Sequence, residues 1–193
     1  MALTLDARRT AFMAMDFQND ILAITPHYRE KNLLGTVKRV LDGGRLKGVA
    51  IVHITVSFRD DYADAPAYAP LFQDEKAKGV MKTGSPGAAI CTELAPQAGD
   101  IVVNKHCVDP FNGTHLHNLL RSRGVDTLVL MGVWTNYVVE AAARTGADSS
   151  YRIIVVSDGC ASNSDDSHRF FMQKILPTIG TAATATDVIA ALG

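Results

Sequence analysis

Short apolar runs alternate with helical patterns along nearly the whole chain of 193 residues. The apolar runs are too short for buried helices and predict β-strands at 9–17, 49–56, 100–105, 126–133, 151–158 and 180–186. Apolar periodicity and end signals predict helices at 32–48, 113–124, 136–149, 164–176 and 187–192. This alternation implies right-handed β-α-β units, so we expect an α/β fold of three layers, with a parallel sheet covered by helices on both faces.

Three helix starts are predicted from residues that commonly cap helices, Asn32, Thr114 and Thr135. Residues 57–99 hold no long periodic segment and carry four prolines, so we expect a long, site-building loop there with one short helix near 88–94. No repeat, linker or low-complexity segment divides the chain. We therefore expect a single domain over residues 1–193.

Composition limits the class of partner. The formal net charge is -1, from 19 basic and 20 acidic residues without a run of like charges, which argues against nucleic acid or an anionic membrane as partner. No apolar run approaches the roughly 18 residues of a membrane span. Three widely spaced cysteines suit reduced thiols better than a disulfide framework. We expect a cytoplasmic protein that acts on a small molecule.

Motifs for common cofactors and nucleophiles are absent. The sequence has neither of the glycine-rich phosphate-binding patterns and no G-x-S-x-G nucleophile elbow. His115 and His117 would point to different faces of a helix, so they are not expected to share a metal ion. The sequence predicts neither a cofactor nor a metal site.

Ligands of parallel sheets bind beyond the carboxyl ends of the strands. Asp16, Lys105 and the turn at 132–138 all fall at such ends. These residues are therefore the first candidates for a site.

The same residues carry a resemblance to the isochorismatase-like, or cysteine hydrolase, superfamily. The matching segments are AMDFQND at 14–20 and the stretch 102–162, which joins K-x-x-x-x-x-F-x-G-T to G-V-x-T-N. Together they span most of the chain. The resemblance implies a six-stranded parallel sheet, a pocket at the strand ends, and a homodimer or homotetramer.

Members of that superfamily with amidase activity use an Asp, a Lys and a Cys. Asp16 and Lys105 match the first two, whereas Val138 stands where those members have the cysteine. The resemblance implies an oxyanion turn at Trp134 and Val138, with a cis peptide bond between Val133 and Trp134. Valine keeps the backbone donors of such a turn but cannot attack a carbonyl.

Two hydrolytic hypotheses remain without the cysteine. If the charge of Lys105 dominates, Asp16 is ionised and acts as a general base on water; if burial dominates, Asp16 is a proton donor to an enol ether or similar group. The bond would be amide-like or an enol ether. A catalytically inactive ligand-binding or assembly protein on the same fold is the alternative.

Other residues are assigned supporting roles. Cys107 would share a strand face with Lys105 if the strand continued, which makes it a candidate for a substitute nucleophile, and Cys160 is predicted to be structural. Gln18 is also predicted to orient the loop after the first strand. The predicted substrate pocket consists of Phe17, Gln18, His53, Phe111 and Tyr137.

Overall fold

The computed structural model describes residues 3–193 and contains one six-stranded parallel sheet. The strands are β1 (Thr10–Met15), β2 (Ala50–Val56), β3 (Ile101–Lys105), β4 (Thr127–Val133), β5 (Arg152–Ala161) and β6 (Thr181–Ala183). Their order in the sheet is β3-β2-β1-β4-β5-β6, and every neighbouring pair is parallel. The three-layer α/β/α prediction and the count of six strands are confirmed.

Seven α-helices accompany the sheet within residues 3–193. They are α1 (Asn19–Ala23), α2 (Leu33–Leu46), α3 (Pro70–Lys78), α4 (Leu116–Ser122), α5 (Glu140–Asp148), α6 (Asp165–Phe170) and α7 (Ala185–Ala190). Short 3-10 turns lie at Ala7–Arg9, Thr92–Leu94 and Leu176–Thr178, and π-helical turns lie at Thr135–Val139 and Phe171–Ile175. Within the described part of the chain, no helix is both long and apolar enough to cross a membrane.

The central strands β1, β2 and β4 are buried on both faces, as their unbroken apolar runs predict, whereas the edge strands β3 and β6 are partly exposed. In β1, Phe12 and Ala14 pack into the core beneath α2 and α7, whereas Met13 and Met15 pack into the core beneath α4 and α5. This division follows from the strand geometry, because successive side chains point to opposite faces. Polar residues that follow these strands are therefore held by backbone that is buried on two sides.

Asn32 stands at the predicted N-cap position of α2, but its backbone is left-handed, with φ 49°, and its side chain makes no capping hydrogen bond. The other two predicted caps are wrong. His115 takes the N-cap position of α4, while the Thr114 hydroxyl accepts from the N–H of Leu116 at 3.2 Å. Thr135 begins a π-helical turn instead, and its hydroxyl donates to the carbonyl oxygen of Ala161 at 3.0 Å. The regular helix α5 consequently starts only at Glu140, after the turn that the sequence marks as a candidate site.

The long excursion after β2 differs most from the prediction. Residues 88–94 form only a 3-10 turn at Thr92–Leu94, whereas the regular helix of this region is α3, which the sequence analysis missed. Pro70 stands in the first turn of α3 and Gly79 ends it at φ 68°, both common positions for these residues. Only Phe72 of α3 is buried, so the helix has no apolar stripe that a periodicity test could detect.

Candidate active site

Asp16 directly follows β1, between the ends of β2 and β4. Its backbone is left-handed, with φ 61°, and its N–H donates to the carbonyl oxygen of Ile54 at 2.9 Å. The residue is only 5% exposed. The neighbouring strands thus hold a carboxyl group in a fixed, nearly dry position at the carboxyl edge of the sheet.

Lys105 is the last residue of β3 and is 2% exposed. Its Nζ donates to Oδ2 of Asp16 at 2.9 Å, although β2 separates the two strands in the sheet. The two residues named from sequence as strand-end candidates therefore form a buried ion pair. Oδ1 of Asp16 is buried and has no hydrogen-bond partner among the described residues.

Burial and the ion pair act on Asp16 in opposite directions. Loss of water around the carboxyl group raises the pKa of Asp16, and the nearby Lys105 ammonium lowers it to a smaller extent. The net effect is a raised pKa. This direction corresponds to the hypothesis in which burial dominates.

The turn after β4 contains the cis peptide bond between Val133 and Trp134 that the resemblance implies. Trp134 Nε1–H donates to the hydroxyl of Thr25 at 2.9 Å, and its ring meets that of Tyr137 edge-on, with centroids 5.5 Å apart. Val138 is 1% exposed. This turn is anchored below by the buried Thr135 and presents Trp134, Tyr137 and Val138 to one cavity.

The cavity has a volume of about 420 Å³, within the usual range for small-molecule sites. It is lined by five of the predicted site residues, namely Asp16, Lys105, Trp134, Tyr137 and Val138. The structure thus brings together the ion pair and the turn. Their catalytic roles remain predictions.

Four predicted pocket residues lie away from this cavity. Phe17 is 2% exposed and packs into the core beneath α2. Gln18 is fully buried, and its amide group binds the backbone of Val56 and Ala88, which holds the long excursion in place. Gln18 therefore holds the loop by hydrogen bonds to its backbone, in agreement with the prediction that it orients the loop after the first strand.

His53 and Phe111 are also placed elsewhere. His53 lies in the middle of β2, where its Nε2 is 3.1 Å from a carboxylate oxygen of Asp100, and burial lowers the pKa of its imidazole. Phe111 stacks on Tyr151 with ring centroids 6.1 Å apart, under the opposite layer of helices. A side chain in the middle of a strand, such as that of His53, or packed beneath the helices, such as that of Phe111, does not reach the strand ends where the cavity opens.

None of the three cysteines lines the cavity. Cys107 lies beyond β3, where its thiol contacts the carbonyl oxygens of Asp109 and Asn112. Cys160 is buried in β5, and burial raises the pKa of its thiol to about 12. A thiolate at Cys160 is therefore disfavoured at neutral pH.

The sequence analysis missed the wall that the long excursion supplies. α3 contributes Leu71, Phe72, Asp74, Glu75 and Lys78 to the cavity. Further lining residues include Asp20, Ile21, Ile24, Met81 and Val108. The one available signal for α3 was the nine-residue spacing from Pro70 to Gly79, typical of a short helix with a proline start and a glycine stop.

Glu75 is the most perturbed carboxyl group of this wall. Its Oε2 is buried without a hydrogen-bond partner in the described structure. Loss of hydration is the main reason that the pKa of Glu75 is raised, to about 7; the charge of Lys105 opposes this shift, and Asp16 and Asp74 add smaller effects in the raising direction. The ionised form is thus disfavoured in the folded protein.

The Glu75→Gln variant is expected to be more stable than the native protein at pH 8 by about 1 kcal/mol, and nearly equal to it at pH 5. Because the pKa of Glu75 is higher in the folded state than in the unfolded state, the folded protein binds the proton more tightly. The free energy of unfolding therefore declines as pH rises from about 4.5 to about 7. Glutamine is neutral throughout. Urea unfolding at the two pH values measures the difference.

The exposed Glu93 provides the matched control. Glu93→Gln makes the same chemical change outside the cavity and is expected to leave stability unchanged at both pH values. Equal stabilities of Glu75→Gln and the native protein at pH 8 would contradict the unfavourable burial of Glu75.

Metal ligands are not clustered at this site. Among residues 3–193, no group of three or more His, Cys, Asp or Glu side chains is arranged to hold a metal ion. The ionisable side chains that line the cavity are four carboxyl groups, two lysines and the phenol of Tyr137.

Comparison with known proteins identifies the family. Residues 10–187 match the model of the isochorismatase domain. The isochorismatase family protein YwoC of Bacillus subtilis is 30% identical over 187 residues, covering 97% of this chain and 96% of the relative. Maleamate amidohydrolase of Pseudomonas putida is 32% identical over 146 residues, covering 74% of this chain and 66% of that enzyme.

A solved structure shows the same fold over the full length. The isochorismatase family protein of Burkholderia thailandensis superposes with a TM-score of 0.85 at 30% identity, covering 100% of this chain and 99% of the other. The family predicted from the strand-end motifs is thereby confirmed. The chain belongs to the isochorismatase family and is a hydrolase of that family.

Proposed function

We propose that this protein hydrolyses an amide-like or enol-ether bond of a small molecule without a covalent cysteine intermediate. The observation that carries the proposal is the buried pair of Asp16 and Lys105 at the cavity, in which Oδ1 of Asp16 has no hydrogen-bond partner. No cysteine lines this cavity. The resemblance to amidases of the superfamily implies that Val138 stands where they have the nucleophile, and the proposal adopts this assignment. Related chains that include an amidohydrolase support a hydrolytic role.

Asp16 is proposed to act as a proton donor. Its raised pKa favours the protonated form, and Oδ1 is the oxygen free to carry the proton while Oδ2 accepts from Lys105. Donation to the leaving nitrogen of an amide, or to the carbon of an enol ether, leaves a carboxylate that the Lys105 ammonium stabilises.

Water completes the proposed reaction. In the amide case the water oxygen bonds to the carbonyl carbon, the C–N bond breaks, and one proton of the water returns to Asp16 while the other stays on the carboxylic acid product. The N–H groups near Trp134 and Val138 are proposed to support the negative charge that develops on the amide oxygen. In the enol-ether case the water oxygen bonds to the oxocarbenium carbon, one proton of the water returns to Asp16, and the other moves to the leaving oxygen as the C–O bond breaks to give an alcohol and a carbonyl product.

A mass-spectrometric screen of pooled amides, ureides, lactams and enol ethers tests this proposal. The native protein is expected to convert at least one compound, with a mass increase of one water divided between the products. Asp16→Asn removes the transferable proton at nearly constant shape, so conversion of that compound is expected to disappear. Cys107→Ala serves as the control and is expected to retain full activity.

Three outcomes would contradict the proposal in different ways. Conversion that persists in Asp16→Asn would remove Asp16 from the reaction. Loss of conversion in Cys107→Ala would indicate a thiol mechanism. Retention of a compound by the native protein, without conversion in any pool, would favour the ligand-binding alternative.

A further inference from the structure

The charges that line the cavity are unequally paired. Lys105 is bound to Asp16, and Lys78 is bound to Asp74 at 2.5 Å. Two further carboxyl groups of the lining, those of Asp20 and Glu75, have no cationic partner among the described residues. Carboxyl groups therefore outnumber ammonium groups in the cavity, and no lining cation is free for an anionic ligand.

The two unpaired carboxyl groups differ in what they can offer a ligand. Asp20 accepts a hydrogen bond from the backbone N–H of Met81 at 3.0 Å, which ties it to the excursion that forms the wall. Oε2 of Glu75 accepts none, and it is shielded from water. A buried acceptor without a protein partner is costly in a folded protein, so a ligand that donates a hydrogen bond to this oxygen removes that cost.

We propose that Glu75 is a specificity-determining residue that selects substrates carrying a protonated amine. This inference rests on the proposed function, since it names the substrate class of the same site. The side chain of the partly exposed Glu75 would rotate to turn Oε2 toward the ammonium group, which donates to it, while the bond to be broken lies at Asp16. Desolvated charge-assisted hydrogen bonds are about twice as strong as neutral ones, so one such contact suffices to discriminate.

The protonation of Glu75 adds a pH dependence to this selection. The charged and titratable groups around Glu75 come from four segments, the end of β1, the start of α1, the excursion with α3, and the end of β3. They are Asp16, Asp20, Tyr62, Asp74, Lys78 and Lys105. Because the pKa of Glu75 is about 7, its carboxylate becomes the main form above neutrality, and an amine ligand should bind more tightly there.

Three amides of similar shape and different charge test the selection. They are 4-(aminomethyl)benzamide, which is a cation, benzamide, which is neutral, and 4-carbamoylbenzoate, which is an anion. Calorimetric titration of the native protein at pH 8 is expected to give the cation about tenfold higher affinity than benzamide, and the anion the lowest affinity. At pH 6 the advantage of the cation is expected to shrink severalfold.

Variants of Glu75 distinguish a direct contact with its carboxyl group from attraction of the cation by the other carboxyl groups of the cavity. Glu75→Gln is expected to lose the tenfold preference for the cation, whereas Glu75→Asp keeps the charge and is expected to keep part of the preference. Glu93→Gln, an exposed site outside the cavity, is expected to bind the series as the native protein does. Thermal unfolding of each variant verifies that it is folded before titration.

Several results would overturn the inference. They are an unchanged preference in Glu75→Gln, equal or tighter binding of the anion by the native protein, or no binding of the cation at millimolar concentration. Mass spectrometry of the recovered amides distinguishes this failure from that of the proposed function. A cation that binds through Glu75 and returns intact would leave the selection in place and count against hydrolysis of that amide.

Discussion

The hydrolytic rate on a neutral substrate is expected to fall about tenfold for each pH unit above the pKa of Asp16. Burial raises that pKa against the opposing effect of Lys105, and the proposed mechanism uses the protonated carboxyl group. The reactive fraction therefore decreases as pH rises. The value of kcat/KM between pH 4 and 9 measures this decrease, since it reports the ionisation of the free enzyme.

The pKa of Glu75, about 7, also lies within this pH interval, so the effect of Glu75 on the rate has to be separated from the effect of Asp16. The profile is therefore repeated in Glu75→Gln, where only the decrease caused by Asp16 should remain. A rate that instead increases with pH would show that ionised Asp16 acts as a general base on water. That result would reverse the proposed direction of proton transfer while leaving the site in place.

Lys105→Met is expected to lower the free energy of unfolding by about 3 kcal/mol at pH 8, or about 6–12 °C in Tm. Methionine fills much of the volume but leaves the Asp16 carboxyl group buried without its partner. The pKa of Asp16 should then rise further, because the lowering effect of Lys105 is removed. A folded-state pKa that rises makes stability fall with increasing pH, so the loss should be smaller at pH 5.

A double-mutant cycle gives this prediction its control. Asp16→Asn/Lys105→Met removes both charges and is expected to recover more than half of the loss, because no buried charge remains. Lys76→Met, on the exposed side of α3, should change stability little. Equal losses in the single and double variants would show that the side chain of Lys105 stabilises the fold by packing rather than by charge.

Local sequence patterns identified the sheet and the cavity residues that lie at the strand ends, but not those of α3. Strands buried on both faces produce uninterrupted apolar runs, and the first polar residue after such a run, as with Asp16, falls at the sheet edge whatever the rest of the chain does. Lys105 was found in the same way. Trp134, Tyr137 and Val138 were found because the turn follows β4 directly in the chain.

The predicted pocket residues that lie elsewhere show the limit of this reasoning. Phe17 and Gln18 are adjacent to Asp16 in sequence, but one packs under α2 and the other clamps the excursion. The left-handed backbone at Asp16 breaks the alternation of the strand, so nearness in sequence does not give nearness to the cavity. Asn32 likewise takes the predicted cap position, but its left-handed backbone leaves its side chain without a capping hydrogen bond.

Apolar runs and the polar residues next to them are local features, so the amino-acid sequence was enough to predict the layered α/β fold and the Asp16–Lys105 edge, and the family followed from the resemblance of the motifs around those residues. Which carboxyl groups share the cavity, and which of them keep a cationic partner, depends on how distant segments pack and is visible only in the folded chain. Glu75 is far from Asp16 in the chain, and its helix α3 buries a single phenylalanine, so no periodic pattern marks it. Its unpaired state and raised pKa arise from the way the excursion folds back over the strand ends.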